Sequence, residues 1–305
     1  MNQKIGGINV IKKDVGAQLI EYKQFKKLEP EYVLSRIEFF LKEDIPDGDK
    51  TTLGTISHNK KVTAEIQAVE SLVFSGSEVV PHCFDDDSGI NLYVKDGDEL
   101  MAGDVIGQIT GKAASILSRE RVMLNLIQRL CGIATQVKVY SELAKPYGIK
   151  ILDTRKTTPG LRLLEKYAVT CGGGYNHRLN LSEGVLIKDN HLKAAGSVKI
   201  AVENIRKIDI SLPIELEVDT QAQIKEGLAV GVDGFLLDNM HPEQIRKSLD
   251  IIRYFPGGES IFVEVSGGIT LENIHGYLNT GVNAISVGAL THQIKSRDIR
   301  LTFVS

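Results

Sequence analysis

The sequence predicts an α/β protein in which a small α+β domain precedes an open, incomplete (β/α) barrel of six or seven parallel strands. Three observations carry this. After Lys145, short apolar runs alternate with amphipathic segments. The ends of those runs recur about every 20 to 35 residues, the spacing of βαβ crossovers. No dinucleotide-binding glycine fingerprint is present and the unit count falls short of eight, which favours an unclosed barrel over a doubly wound sheet.

In chain order, residues 1 to about 28 read as a loosely ordered extension, rich in Lys and Gln, with no recognisable chemistry. Tyr32, Val33, Ile37, Phe40 and Leu41 recur at helical spacing, with Glu31 near the start to suit the helix dipole. DIPDGDKTT reads as turn chemistry, and VTAEIQAV, INLYV and DVIGQITG as short strands. One helix is expected from Ser115 to Arg129 and a second from about Ile133 to Ala144. The barrel strands are KIL at 150–152, VLI at 185–187, IELEV at 214–218, GFLL at 234–237, IFVEV at 261–265 and AISV at 284–287. The segments SVKIAVENIRKI, QAQIKEGLAV, PEQIRKSLDIIRYF and LENIHGYLNT are the helices between and beside them.

Composition narrows the function. A chain of 305 residues with 42% hydrophobic content buries a full core. A net charge of -3 gives no general attraction to nucleic acid or an anionic membrane. Cys83, Cys131 and Cys171 lack CxxC spacing and cannot all pair, which points to reduced thiols and away from a zinc site. No apolar run is long enough for a signal segment or a membrane span, so a cytoplasmic location is expected.

Against that near-neutral background, Asp153, Arg155, Lys156, His177, Arg178, Lys188 and Asp189 crowd into ILDTRKTTPG, GGGYNHR and VLIKDNH, and point to a compact polyanion. Taken singly, each of these is better explained by a surface ion pair, and it is the cluster as a whole that reverses the balance. Barrel ligands bind where strands end, which singles out Asp153, Lys188, Glu217, Asp238, Ser266 and Gly288. Glu217 and Asp238 suit Mg²⁺, ribose hydroxyls, or a salt bridge to Lys188 or Arg155. SGGI, before a helix opening at Thr270, and SVGALTH, with Gly288, suit a phosphate cradle. The run Gly172, Gly173, Gly174 suits close approach to a ligand or a mobile loop. No nucleophile is evident, because Cys171 and Ser266 lack a base at workable spacing.

The runs KEDIPDGDKTT, SRERVMLNLIQRLCGIAT, ILDTRKTTPGLRLLEKYAVTCGGGYNHR, GVLIKDNH, ELEVDT, LLDNM, VSGGI and ISVGALTH resemble the quinolinate phosphoribosyltransferase family, in its order, over residues 43 to 292. The resemblance implies an N-terminal α/β sandwich domain at 29–132, completed by 293–305, an open barrel at 133–292 carrying the active site, and a homodimer with shared sites. It implies that Arg121, Arg155, His177, Arg178 and Lys188 bind quinolinate, with Arg121 reaching the partner's site. Lys156, Lys188, Glu217, Asp238, Ser266, Gly267, Gly288 and His292 are implied to hold phosphoribosyl pyrophosphate. Lys156, Glu217 and Asp238 are implied to be catalytic, and the two acids to hold Mg²⁺, directly or through water. Cys131 stands where Ser is usual before GIAT, and LNLSEG replaces the usual pattern after the His-Arg pair.

The implied reaction is phosphoribosyl transfer to quinolinate with decarboxylation, giving nicotinate mononucleotide, pyrophosphate and carbon dioxide for NAD synthesis. Two rival readings are a pyrophosphorylase of the same fold acting on another anionic base such as nicotinate, and a binding protein without turnover. Retention of the five cationic residues argues against the first, and of Glu217 and Asp238 against the second.

Overall fold

A computed structural model describes residues 20–304 apart from 58, 86, 209 and 210, together with the backbone of 3–5 and 8–10. The chain forms two compact units. One contains residues 24–141, 156–175 and 289–305, and the other 1–23, 142–155 and 176–288. Residues 156–175 therefore group with the first domain and the chain up to residue 23 with the barrel, unlike the linear boundaries set from sequence.

In the first unit a four-stranded antiparallel sheet has the order Ile299–Phe303, Lys61–Ala68, Val105–Lys112, Gly89–Leu92. Alternation along Lys61–Ala68 buries Val62, Ala64, Ile66 and Ala68, as the period-2 pattern dictates. Pro30–Asp44 is helical as expected. DGDKTT is not only a turn: Asp49 accepts from the Thr52 amide at 3.0 Å and caps a helix over Lys50–Thr55.

The two helices expected around residue 132 are one, Ala113–Ala144. Gly132 does not break it. A Cβ there would lie 2.5 Å from the Lys295 carbonyl oxygen, so the glycine serves a backbone contact within the unit. The triple glycine likewise makes close contacts within its own unit. A Cβ at Gly172 would meet the Ala134 carbonyl at 2.4 Å, and one at Gly174 would meet Val137 at 2.7 Å, so the run packs against this helix.

In the second unit six strands form an all-parallel sheet: β1 (Lys150–Leu152), β2 (Val185–Ile187), β3 (Ile214–Val218), β4 (Gly234–Asp238), β5 (Phe262–Ser266) and β6 (Ala284–Ser286). Their spatial order is β1-β6-β5-β4-β3-β2. The first and second strands are not paired, so the barrel opens between them. Leu216, Phe235, Val263 and Ile285 are fully buried, and each stabilises the fold by roughly 1.5–3 kcal/mol.

Helices Val198–Lys207, Gln221–Val230 and Pro242–Arg253 fall where periodicity places them. Ser197 and Thr220 cap the first two through their side chains. The expected helix LENIHGYLNT shrinks to His275–Leu278. Asn273 accepts from the Thr270 amide at 2.9 Å and donates to the Gly268 carbonyl at 2.8 Å, so its side chain competes with helix for that backbone.

Candidate active site

The opening between β1 and β2 is spanned by one buried carboxylate. Asp153, just past β1, accepts from the Asn176 side chain at 2.7 Å and from the His177 amide at 2.8 Å. Those bonds fix the start of the His177–Arg178 segment. The Arg178 amide donates to His177 Nδ1 at 2.8 Å, and the Arg178 guanidinium donates to the Gly184 carbonyl at 2.7 Å. Arg178 is 5% exposed. Burial, then the neighbouring Arg155 charge, push its pKa down, while Tyr22, Glu215 and Glu217 push it up.

Because side chains alternate along β3, Leu216 packs under the Gln221–Val230 helix, and Glu215 and Glu217 share the opposite face. The two acids live in different places. Glu217, toward the strand end, is paired with Lys188, whose side chain is 42% exposed. Glu215 is fully buried and faces Glu264 of β5.

His177 Nε2 lies 3.6 Å from a carboxylate oxygen of each of these two glutamates. Ser286 donates to Glu264 at 3.0 Å, and Tyr22 donates to Glu215 at 2.9 Å. Burial, then the Glu215 charge, raise the Glu264 carboxyl well above the usual range. The ligand atoms of His177, Glu215 and Glu264 lie within 4.8 Å of one another, as in a metal site. The hydrogen bonding argues otherwise: Nδ1 is an acceptor, so the ring proton sits on Nε2, where an ion would need a lone pair.

At the next strand ends, Asp238 accepts from Ser266 at 3.1 Å and from Asn239 at 2.7 Å. Asn239 has a positive φ of 53° and its amide donates to the Ser266 carbonyl at 2.9 Å. Gly267 is required here: its φ is 97°, and a Cβ would fall 2.2 Å from Asn239 Oδ1. The β4 and β5 loops are thus interlocked. Glu217 and Asp238 end adjacent strands, and among the described residues no cluster of three metal ligands includes them. That donor set fits Mg²⁺ completed by water and substrate oxygens, and not a protein cage.

The barrel unit therefore gathers Arg155, His177, Arg178, Lys188, Glu217, Asp238, Ser266, Gly267 and Gly288. Arg121, Lys156 and His292 belong to the other unit, and all three are exposed. There the Lys156 carbonyl accepts from Thr291 at 2.8 Å. Asp189 opens the short helix Asp189–Ala195 and pairs with Lys193 at 3.0 Å, a surface role. Sequence reasoning missed Glu215, Glu264 and Tyr22. An acid in the middle of an apolar strand, as in IELEV and IFVEV, was the available signal for the first two, because burying such a group is costly without a purpose. Tyr22 carries no such signal.

An open parallel barrel that ends in cationic, acidic and glycine-loop clusters defines an enzyme acting on small polyanions. Residues 49–131 match the quinolinate phosphoribosyl transferase N-terminal domain and residues 133–302 its C-terminal domain. The chain belongs to the quinolinate phosphoribosyltransferase family. It is 45% identical over 267 residues to a probable nicotinate-nucleotide pyrophosphorylase [carboxylating] of Bacillus subtilis, covering 86% of this chain and 90% of that one. The carboxylating enzyme of Mycobacterium leprae is 39% identical, with 86% and 93% covered. The solved nicotinate-nucleotide pyrophosphorylase of Francisella tularensis aligns with a TM-score of 0.87 at 35% identity, covering 93% of this chain and all of that one. Among the described residues no helix is long and apolar enough to cross a membrane.

Proposed function

We infer that the protein transfers the phosphoribosyl group of phosphoribosyl pyrophosphate to quinolinate and releases carbon dioxide, forming nicotinate mononucleotide and pyrophosphate for NAD synthesis. The observation that supports this most is the grouping of Arg155, Arg178 and Lys188 beside Glu217 and Asp238 at the open end of one barrel, in a chain of this family.

In this reading Arg155, Arg178 and Lys188 hold the two carboxylates of quinolinate, so that its ring nitrogen faces the anomeric carbon in line with the departing pyrophosphate. His177 shapes that half of the pocket. Lys188 exchanges Glu217 for substrate as the site fills. Glu217 and Asp238 orient the ribose hydroxyls and would hold Mg²⁺, which supplies neutralisation of the charge gathering on pyrophosphate. Ser266, Gly267 and Gly288 receive phosphate groups, the class of ligand that the family resemblance also assigns to Lys156 and His292. After transfer, the cationic ring nitrogen stabilises the carbanion left by decarboxylation, which then takes up a proton. Positioning and fixed charge supply the rate.

We also propose a cytoplasmic homodimer in which Arg121 completes the partner's quinolinate pocket. Mixing Arg121→Ala with Lys188→Ala under subunit exchange should then restore activity, because one site of the mixed dimer carries neither lesion. If Arg121 serves its own subunit, every site keeps one lesion and no activity returns.

The reaction itself is checked by incubating the protein with phosphoribosyl pyrophosphate and Mg²⁺ plus either quinolinate or nicotinate, reading product mass and carbon dioxide. Quinolinate should be consumed with carbon dioxide release and nicotinate should be much poorer. Equal use of both bases would remove the dicarboxylate assignment.

A further inference from the structure

The chain before residue 49 lies outside both family domains, yet part of it packs beneath the proposed quinolinate pocket. Tyr22 stacks on the His177 ring at 4.5 Å between centroids, with the planes 29° apart. Its hydroxyl donates to Glu215. A Cβ added at Gly184 would lie 2.9 Å from Tyr22 Cε1, and the Gly184 carbonyl is the one that holds the Arg178 guanidinium. One side chain thus touches the imidazole, the buried acid facing it and the residue that fixes the arginine. Two residues earlier, Ile20 is 7% exposed and fills the space over Gly234, where a Cβ would approach its Cδ1 to 2.3 Å. Gly234 opens β4 and Glu215 lies early in β3, so this segment covers the barrel at the end opposite the strand-end charges.

The two side chains do different things. Ile20 is an apolar filler. Tyr22 combines an aromatic face with a hydroxyl, and burial followed by the Glu215 charge keeps that hydroxyl protonated as a donor. With Nδ1 of His177 committed to the Arg178 amide, the rotation of the imidazole and the path of the Arg178 backbone are coupled.

We propose that Tyr22 is a positioning residue for quinolinate: by clamping His177 against Glu215 and bracing Gly184, it sets the pose of Arg178 in the pocket. The inference rests on the assignment of quinolinate as substrate.

Calorimetric titration of the full-length protein with quinolinate, and separately with phosphoribosyl pyrophosphate and Mg²⁺, tests it. Loss of the stack and the hydrogen bond in Tyr22→Ala should weaken quinolinate about tenfold, while phosphoribosyl pyrophosphate affinity stays within about twofold. Tyr22→Phe keeps the stack and should recover most of the affinity, remaining about threefold weak. Ile20→Ala, the packing control, should lower the melting temperature but leave quinolinate affinity within about twofold. If wild-type protein fails to bind quinolinate, the substrate assignment falls and takes this role with it. If wild type binds and the two Tyr22 variants match it, or if Ile20→Ala weakens quinolinate as much as Tyr22→Ala does, Tyr22 has no positioning role and only the substrate assignment stands.

Discussion

Glu215 and Glu217 stand two residues apart on one strand and point the same way, yet their surroundings differ at every level. Glu217 is near the mouth, partnered by a half-exposed lysine that can turn to a ligand. Glu215 is sealed among Tyr22, which donates to it, His177 and Glu264, and the last two are held in turn by the Arg178 amide and the Ser286 hydroxyl. The barrel thus has a layer of exchangeable charge at its strand ends and, about 6–7 Å below, a layer of fixed polar contacts. The lesson is that proximity to a site does not make a residue part of its chemistry: in the proposed reading the upper layer meets ligands and the lower one holds the upper in place.

The largest expected effect comes from the residue that joins the layers. Arg178→Ala removes a desolvated cation from the pocket, and kcat/KM for quinolinate should fall by about 100-fold or more, in line with roughly 3 kcal/mol for truncating one member of a buried charge pair. Steady-state kinetics with each substrate varied in turn checks this, and an effect under tenfold would move Arg178 from the ligand layer into the scaffold.

A smaller effect is expected at the β4–β5 interlock. Gly267→Ala forces a side chain into positive φ against Asn239, which should cost roughly 1–3 kcal/mol of stability and displace Asp238 from Ser266. Thermal unfolding should show the loss, and KM for phosphoribosyl pyrophosphate should rise by more than KM for quinolinate. A rise confined to quinolinate would contradict the division of the upper layer.

The smallest effect separates the layers by pH. The folded-state pKa of Glu264 is raised, so the folded protein holds this proton where the unfolded chain has lost it. Stability tied to it is therefore full below the ordinary carboxylate pKa and declines as pH rises toward the raised value. Glu264→Gln should flatten the fall in melting temperature as pH rises above the ordinary carboxylate range. Equal slopes in variant and wild type would mean that the lower layer does not store a proton.

Much of the upper layer was legible in the sequence because its charges interrupt or follow apolar runs: Lys188 ends VLI and Asp238 ends GFLL. Their residue types declare chemistry and the strand period places them. The lower layer was harder because it depends on contacts distant in sequence, such as Tyr22 with Glu215. Strands were easier to place than helices. Burial of both faces makes parallel strands continuous apolar runs, whereas LENIHGYLNT has helical spacing that Asn273 overrides locally. The glycines were ambiguous for a related reason: flexibility alone does not say what approaches, and at Gly132, Gly172 and Gly174 the protein's own backbone and side chains do.

The central claim is that the upper layer is divided, with its cations for the dicarboxylate and its acids for the ribose, the pyrophosphate and their metal. Glu217→Gln and Asp238→Asn test it most directly when each is titrated calorimetrically with quinolinate and then assayed against phosphoribosyl pyrophosphate over a range of Mg²⁺ concentrations. The account predicts quinolinate affinity within about threefold of wild type, together with about tenfold or greater loss in phosphoribosyl pyrophosphate use and a shifted Mg²⁺ dependence, as expected on removing one charged ligand. Large loss of quinolinate affinity with phosphoribosyl pyrophosphate kinetics unchanged would contradict it.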